Sequence, residues 1–388
     1  MLATTLLPLM LAAVSPAAGQ DFTMRPSGAW RGIRFQEARE FSTTGVVSRL
    51  EMSLYNRGDD KTEAGMSKAE LRTLLDKVVA ELNPQGKPPP VEKRKVRSGG
   101  LEFSQRWPKL VPSAELVWGV TGETVDFVRL TLDTAPAKPK TGAAPVAGNV
   151  AKAKVKANVV KEPSGDVRID NVPMVDQGQK GYCAAAVSER VLRYYGHPID
   201  EHQIAQMAGT RAEGGTSVSE MIETVRTVGS KCRLGFVQIV SMAGSMGEIR
   251  KDLERYNKAA KALKRPALVY DDFLEDHTFQ VNAMRRAMEP EVLLAMRKKD
   301  SRFKRFLAGV KTQVDQGIPV FWGVTLGYFP EPGVPQSGGG HMRLIIGYNA
   351  KTHEILYTDS WGPGHELKRM PEERAFAITH DAFFLKPL

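Results

Sequence analysis

The chain has 388 residues, of which 42% are hydrophobic and 25% charged, so it can hold two globular domains that each bury a core. Its formal net charge is +10, and part of this excess lies in a run of lysines between residues 138 and 161. The run has no interleaved aromatic residues to stack on bases, which favours a solvated linker over a nucleic-acid interface.

The chain begins with a short apolar segment, residues 1–14, followed by small residues up to Gly19. This pattern resembles a secretory signal and its cleavage site, and the segment is too short to span a bilayer. No later segment is apolar enough for a transmembrane helix. The sequence therefore predicts a signal peptide over residues 1–20 and a secreted or periplasmic protein without stable membrane insertion.

Residues 21–133 are predicted to form a small α+β domain. It contains one predicted helix over residues 67–82, capped by Ser67, and predicted strands over residues 41–54, 101–107, 114–121 and 124–132. The segment offers no nucleophile–base pair and no ligand cluster. Its role is open between a tethered targeting module, which we favour, and an inhibitory pro-segment.

Residues 134–165 are rich in Ala, Pro, Lys and Gly and are predicted to be a flexible linker. The second domain, residues 166–388, begins with helices and ends with strands, which is an α+β order. A mostly helical insertion is predicted over about residues 243–317. The closing strands are predicted over residues 320–326, 342–348, 354–359 and 374–379.

Cys183 and Cys232 are the only cysteines. They could form a disulfide in an oxidising compartment, but this would make the thiol of Cys183, at the start of a predicted helix, unreactive. A helix N-terminus and a nearby imidazolium both favour the nucleophilic thiolate. The sequence therefore favours a reactive Cys183 and a small buried Cys232.

Three other residues complete a catalytic pattern with Cys183. His341 precedes an apolar strand, and Asp359 ends the next strand, so antiparallel pairing would bring the carboxylate beside the imidazole. Gln177 lies six residues before Cys183 and could donate its amide to an oxyanion. Together these groups predict acyl transfer through a thioester, with water as the usual acceptor.

These segments resemble the papain-like cysteine peptidases, in particular the bacterial branch of bacteriocin-processing, double-glycine peptidases. The similarity covers about residues 170–230 and 315–365, including Tyr194-Tyr195-Gly196 and Gly215-Thr216-Ser217. It implies the papain-like α+β fold, in which a helical part is followed by an antiparallel sheet. The separation of 341 − 183 = 158 residues between Cys and His is longer than in many members of that branch, which is why an insertion is predicted.

The resemblance also implies a role for each residue of the pattern. Cys183 would be the nucleophile, His341 the general base, Asp359 the residue that orients the base, and Gln177 the oxyanion donor. Trp361 could shield the His–Asp pair from water. No cofactor and no metal ion is implied.

The sequence thus predicts an exported cysteine peptidase that hydrolyses peptide bonds in a peptide or protein substrate. One alternative is a transglutaminase-like acyl transferase, which has the same order of Cys, His and Asp; the offset of Gln177 and the presence of Trp361 favour the peptidase. Another alternative is a papain-fold binding module without turnover, against which the presence of all four catalytic groups argues. The substrate and the oligomeric state stay open.

Overall fold

The computed structural model describes residues 23–43, 46–57, 65–84, 86–95, 100–134, 155–177, 181–197, 199, 201–208, 218–242, 244–275, 277–334, 339–362 and 364–387. The predicted signal peptide and most of the predicted linker lie outside these residues. The chain forms two compact units. The first combines residues 1–148, 171–228 and 360–363, and the second combines residues 149–170, 229–359 and 364–388.

The first unit contains a seven-stranded antiparallel sheet in the order β1-β2-β3-β7-β6-β5-β4. Its strands are β1 (Thr23–Trp30), β2 (Ile33–Thr43), β3 (Val46–Asn56), β4 (Glu92–Lys95), β5 (Leu101–Trp107), β6 (Ser113–Thr121) and β7 (Thr124–Asp133). Helix α1 (Lys68–Leu82) adds Leu71, Val78 and Leu82 to the core of the sheet. The predicted α+β character of this segment is therefore seen.

The start of α1 is where the sequence predicted it. The Ser67 side chain accepts the backbone N–H of Glu70 at 3.2 Å, and the Glu70 carboxylate accepts the N–H of Ser67 at 2.8 Å, which is a complete capping box. The single strand predicted over residues 41–54 is wrong. Thr43 pairs with Val46, so the segment contains the end of β2 and most of β3, and the β-branched residues on both sides conceal the reversal.

Three helices follow in the first unit, and the last of them continues into the second unit. They are α2 (Cys183–Tyr194), α3 (Glu201–Ala208) and α4 (Val218–Lys231). Helix α2 ends where Gly196 adopts a φ of 79°, a left-handed conformation that favours glycine. The helix therefore begins at Cys183, as the sequence predicted.

A buried ion network joins α2 to the N-terminal sheet. The carboxylate of Glu189 is completely buried and accepts hydrogen bonds from Arg39 Nη1 at 2.6 Å, from Arg193 Nε at 2.6 Å and from the N–H of Glu201 at 2.7 Å. Arg193 also reaches Glu51 on β3 at 3.2 Å. The N-terminal segment is thus part of the compact unit that contains α2, which contradicts the favoured interpretation as a tethered module.

The second unit is built on an eight-stranded sheet in the order β10-β17-β13-β14-β15-β16, with β9 pairing with β14 and β8 with β9. Its strands are β8 (Val159–Lys161), β9 (Asp166–Ile169), β10 (Leu234–Ser241), β13 (Val320–Leu326), β14 (Gly339–Asn349), β15 (Glu354–Thr358), β16 (Lys368–Pro371) and β17 (Thr379–Pro387). A separate two-stranded sheet pairs β11 (Leu274–Glu275) with β12 (Thr278–Phe279). The predicted end of the linker at residue 165 is therefore too late, because Val159 and Val160 already pair with β9.

The helices of the second unit include most of the stretch predicted to be helical. They are α5 (Met246–Ala262), α6 (Val281–Ala287), α7 (Pro290–Arg297), α8 (Arg302–Val314) and α9 (Glu372–Ile378), with a 3-10 turn at Tyr270–Phe273. The strand predicted over residues 374–379 is wrong, because this segment lies largely in α9. Glu372 and Glu373 occupy its first turn, where carboxylates stabilise a helix. The apolar residues Ala375 to Ile378 are buried in this helix and not in a strand.

Cys183 is partly exposed and Cys232 is buried, and the two do not form the disulfide that was the alternative. Among the described residues, no helix has the length and apolar character needed to cross a membrane.

We predict that replacing Arg39 with Met lowers the free energy of unfolding by about 3 to 5 kcal/mol, because it leaves the buried carboxylate of Glu189 short of a partner. Urea denaturation measures the change. The matched control is Lys68→Met, which breaks the exposed pair with Glu123 and should cost less than about 1 kcal/mol. Equal losses in the two variants would contradict a stabilising role for the buried network.

Candidate active site

Cys183 is the first residue of α2 in the first unit. Its N-terminal neighbour Tyr182 makes no side-chain capping bond, and the first turn contains no acidic residue. Backbone N–H groups at such a helix end favour a negative charge, which for this residue is a thiolate. The buried residues Ala184, Ala185 and Ala186 hold this end of the helix in the core.

Gln177 is buried in the same unit and is fixed from two sides by Ser360. The backbone N–H of Gln177 donates to the carbonyl oxygen of Ser360 at 2.9 Å, and the Ser360 hydroxyl donates to Gln177 Oε1 at 2.8 Å. This second bond orients the side-chain amide, so that Nε2 is the end that can serve an oxyanion. Arg190 of α2 holds the preceding segment through the carbonyl oxygen of Pro173 at 2.7 Å.

His341 and Asp359 form a buried pair in the second unit. His341 lies on β14 opposite Val324 of β13, and Asp359 directly follows β15. The ring nitrogen Nε2 lies 2.5 Å from Asp359 Oδ1, as expected from antiparallel pairing of β14 with β15. Because a carboxylate only accepts, Nε2 carries a proton, and Nδ1 is the nitrogen whose lone pair can act as a base.

Arg343 is a completely buried cation behind this pair, and the sequence reasoning missed it. It lies two residues after His341 on β14, and its Nε is 2.8 Å from Asp359 Oδ2, an ion-pair contact that is not aligned as a hydrogen bond. Consecutive odd positions of a strand share one face, so His341 and Arg343 both reach Asp359 from the same strand. A charged residue inside the otherwise apolar strand was the available signal.

Glu331 and Tyr357 complete the buried network. Arg343 Nη1 donates to Glu331 Oε2 at 2.9 Å, and the Tyr357 hydroxyl donates to the same carboxylate. The Arg343 guanidinium also lies 4.7 Å from the centre of the Tyr357 ring. Burial raises the pKa of Tyr357, so this hydroxyl stays protonated and remains a donor. Arg343 is therefore held by two carboxylates and by the aromatic rings of Tyr357 and Trp322.

The structure brings His341 and Asp359 together in one unit and places Gln177 and Cys183 in the other. The shielding role of Trp361 and the catalytic roles of the four residues stay predictions. Among the described residues, Glu37, Glu201 and His202 offer ligand atoms within 4.8 Å of one another. Arg39 Nη2 lies 3.5 Å from both of these carboxylates, so a guanidinium already supplies the positive charge there.

Two families match parts of the chain. Residues 171–281 match the Peptidase C39 family, and residues 254–382 match the Peptidase_C39 like family. Among curated proteins, none matches this sequence. The crystal structure of xylellain, a cysteine protease from Xylella fastidiosa, is 15% identical in a match that covers 60% of this chain and 88% of that one, with a TM-score of 0.26.

We predict that the ring Nε2–H of His341 gives a strongly deshielded proton resonance in the NMR spectrum, because it donates to a buried carboxylate. The resonance should disappear in His341→Gln, which assigns it, and move to higher field in Asp359→Ala. Arg343→Lys should shift it as well, since one ammonium cannot contact both Asp359 and Glu331. A resonance that Asp359→Ala leaves unmoved would contradict the pair.

Proposed function

We propose that the chain hydrolyses peptide bonds through a thioester formed on Cys183, because residues 171–281 match the Peptidase C39 family and residues 254–382 match the Peptidase_C39 like family. The observation that carries this proposal is the buried hydrogen bond between His341 and Asp359, which fixes the tautomer that a general base needs. The substrate class is a peptide or protein, as the family implies.

In the proposed mechanism, Nδ1 of His341 takes the proton of the Cys183 thiol, and the thiolate attacks the carbonyl carbon of the scissile bond. Nε2 of Gln177 and the backbone N–H of Cys183 donate to the oxyanion that forms. The tetrahedral intermediate collapses to a thioester as the imidazolium protonates the leaving amine. A water molecule, deprotonated by His341, then hydrolyses the thioester and regenerates the thiol.

Asp359 and Arg343 act on this reaction through His341. The carboxylate holds Nε2 and stabilises the imidazolium that forms during attack, and the guanidinium holds the carboxylate. Arg343 is thus a positioning residue in the proposed mechanism, whereas Cys183, His341 and Gln177 contact the reacting atoms.

The transglutaminase-like alternative differs only in the group that accepts the acyl moiety. A peptide substrate incubated with excess primary amine separates the two reactions by mass spectrometry. Hydrolysis gives a free carboxylate at the cleaved bond, whereas acyl transfer gives an amide. We expect the carboxylate to dominate, and amide formation without a cleaved peptide would overturn the proposal.

We also propose that the mature protein is exported to the periplasm or secreted. The support is the apolar segment over residues 1–14 with the small residues that follow it. Sequencing the N-terminus of the protein isolated from its source tests this. A mature chain that starts near residue 21 supports export, and an intact Met1 in a cytoplasmic fraction contradicts it.

We predict that an epoxide inhibitor of papain-like enzymes modifies Cys183 on the order of tenfold faster than Cys232, because the buried Cys232 thiol is neither accessible nor activated. Intact mass and peptide mapping of Cys183→Ala and Cys232→Ala measure the two rates. Cys232→Ala should keep full hydrolytic activity and Cys183→Ala should lose it. Equal labelling of the two thiols would contradict an activated Cys183.

We predict that Gln177→Ala lowers kcat by on the order of a hundredfold with little change in KM, because one oxyanion donor is lost. Ser360→Ala should lower kcat less, since it only releases the amide that it orients. In the Gln177→Ala background, Ser360→Ala should have no further effect on kcat. A full additional loss in the double variant would show that Ser360 acts independently of Gln177.

A further inference from the structure

The second unit contains a cavity of about 290 Å³ that takes no part in the proposed peptidase mechanism. Its walls come from the end of β10, from α5, α6 and α7, and from the start of β17. Thr325 of β13 also lines it. Thr325 follows Val324, the partner of His341 in the register, so its side chain lies on the opposite face of the strand.

Basic side chains outnumber acidic ones around this cavity. The basic residues are Lys251, Arg255, Arg285, Arg297 and Arg302, and the acidic residues are Glu248, Asp252 and Asp300. The formal charge of the lining is therefore 5 − 3 = +2 with His380 neutral. Burial, together with Arg285 and Arg297, lowers the pKa of His380 to about 3, so this imidazole stays neutral.

The carboxylates of the cavity are already engaged. Asp252 contacts Arg255 at 2.5 Å and Arg297 at 3.5 Å, and Asp300 contacts Arg302 at 2.6 Å and Arg297 at 3.3 Å. Two carboxylates thus serve three guanidinium groups. Glu248 is used elsewhere, because its carboxylate caps α5 by accepting the N–H of Ser245 at 2.9 Å.

Arg285 is the cation of this cavity with which none of these carboxylates forms an ion pair. Its side chain contacts neutral groups: Nη1 donates to Nδ1 of His380 at 2.7 Å, and Nη2 donates to the carbonyl oxygen of Met242 at 3.3 Å. Burial lowers the pKa of Arg285, and the nearby Arg297 lowers it further. Among the described residues, no carboxylate lies within ion-pair distance of this guanidinium.

Arg297 adds an unused donor to the same cavity. Its side chain is about nine-tenths buried, with 8% of its surface exposed, and its Nε has no hydrogen-bond partner among the described residues. An unpaired buried donor on a cation is costly, and such a site is stabilised when an acceptor enters. Arg285 therefore has no anionic partner among the described residues, and Arg297 has one donor, Nε, without an acceptor.

We propose that this cavity binds a small oxyanion, a carboxylate or a phosphate, between Arg285 and Arg297. Guanidinium groups match the oxygen geometry of both anions and bind them through charge-assisted hydrogen bonds. The volume admits a small molecule but not a folded segment. Met242, Met284 and Met288 provide an apolar wall, which suits an anion that carries a short hydrocarbon chain.

Isothermal titration calorimetry on the full chain tests the proposal. Inorganic phosphate, succinate and hexanoate are titrated separately at one ionic strength maintained with chloride. Cys183→Ala protein is used throughout, so that the result does not depend on the peptidase proposal. The test variant is Arg285→Gln, and the matched control is Arg286→Gln, which removes the same charge from the adjacent, exposed residue of α6 outside the cavity.

We expect at least one probe to bind saturably and Arg285→Gln to weaken it by tenfold or more, whereas Arg286→Gln changes it less than twofold. Tight phosphate binding alone assigns a phosphate site, and tight hexanoate or succinate binding alone assigns a carboxylate site. No saturable binding of any probe, or equal weakening in the two variants, would overturn the proposal. If Arg285→Gln does not fold, Arg285→Lys replaces it with the same expected weakening, because lysine keeps the charge but lacks the planar, bidentate donors of the guanidinium.

Discussion

The carboxylate of Asp359 has no exposed surface, and the second unit must supply partners for a charge that has left water. β14 supplies two of these partners, His341 and Arg343, from one face of a single strand. Because side chains alternate along a strand, a one-residue slip between β14 and β15 would remove the two partners together. The register of this strand pair and the burial of Asp359 therefore stabilise each other, and the geometry of the proposed base follows from them.

The first unit also contains a buried carboxylate, and there a sheet and a helix supply its cationic partners. Glu189, six residues after Cys183 on α2, is fully buried and is neutralised by Arg39 from the N-terminal sheet and by Arg193 from its own helix. Removing the N-terminal segment would leave this carboxylate short of a partner on the helix that begins at Cys183. The N-terminal sheet is thus a structural component of that helix's environment and not a merely tethered module.

Sequence reasoning found the parts of the site that depend on local pattern. The start of α2 at Cys183, the cap of α1 at Ser67 and the pairing that joins His341 to Asp359 all follow from patterns visible in the sequence. It missed Arg343 because a strand residue shows its partners only once the register is known. It mistook α9 for a strand because the seven-residue helix is too short for its period to differ clearly from alternation. The ion pair between Arg39 and Glu189 joins residues that are 150 positions apart, so local sequence patterns do not predict it.

The arginine-lined cavity differs from the two networks in one respect. Around Asp359 and Glu189 each buried charge meets an opposite one, whereas Arg285 meets only neutral acceptors. Under the proposal, a bound anion supplies the missing charge and stabilises the second unit by an amount that grows with the logarithm of one plus its concentration over Kd. Thr325, which contacts His380 in this cavity, is the residue next to the strand partner of His341. The same β13–β14 pair would then carry the proposed base, His341, on one face and be stabilised by the anion on the other.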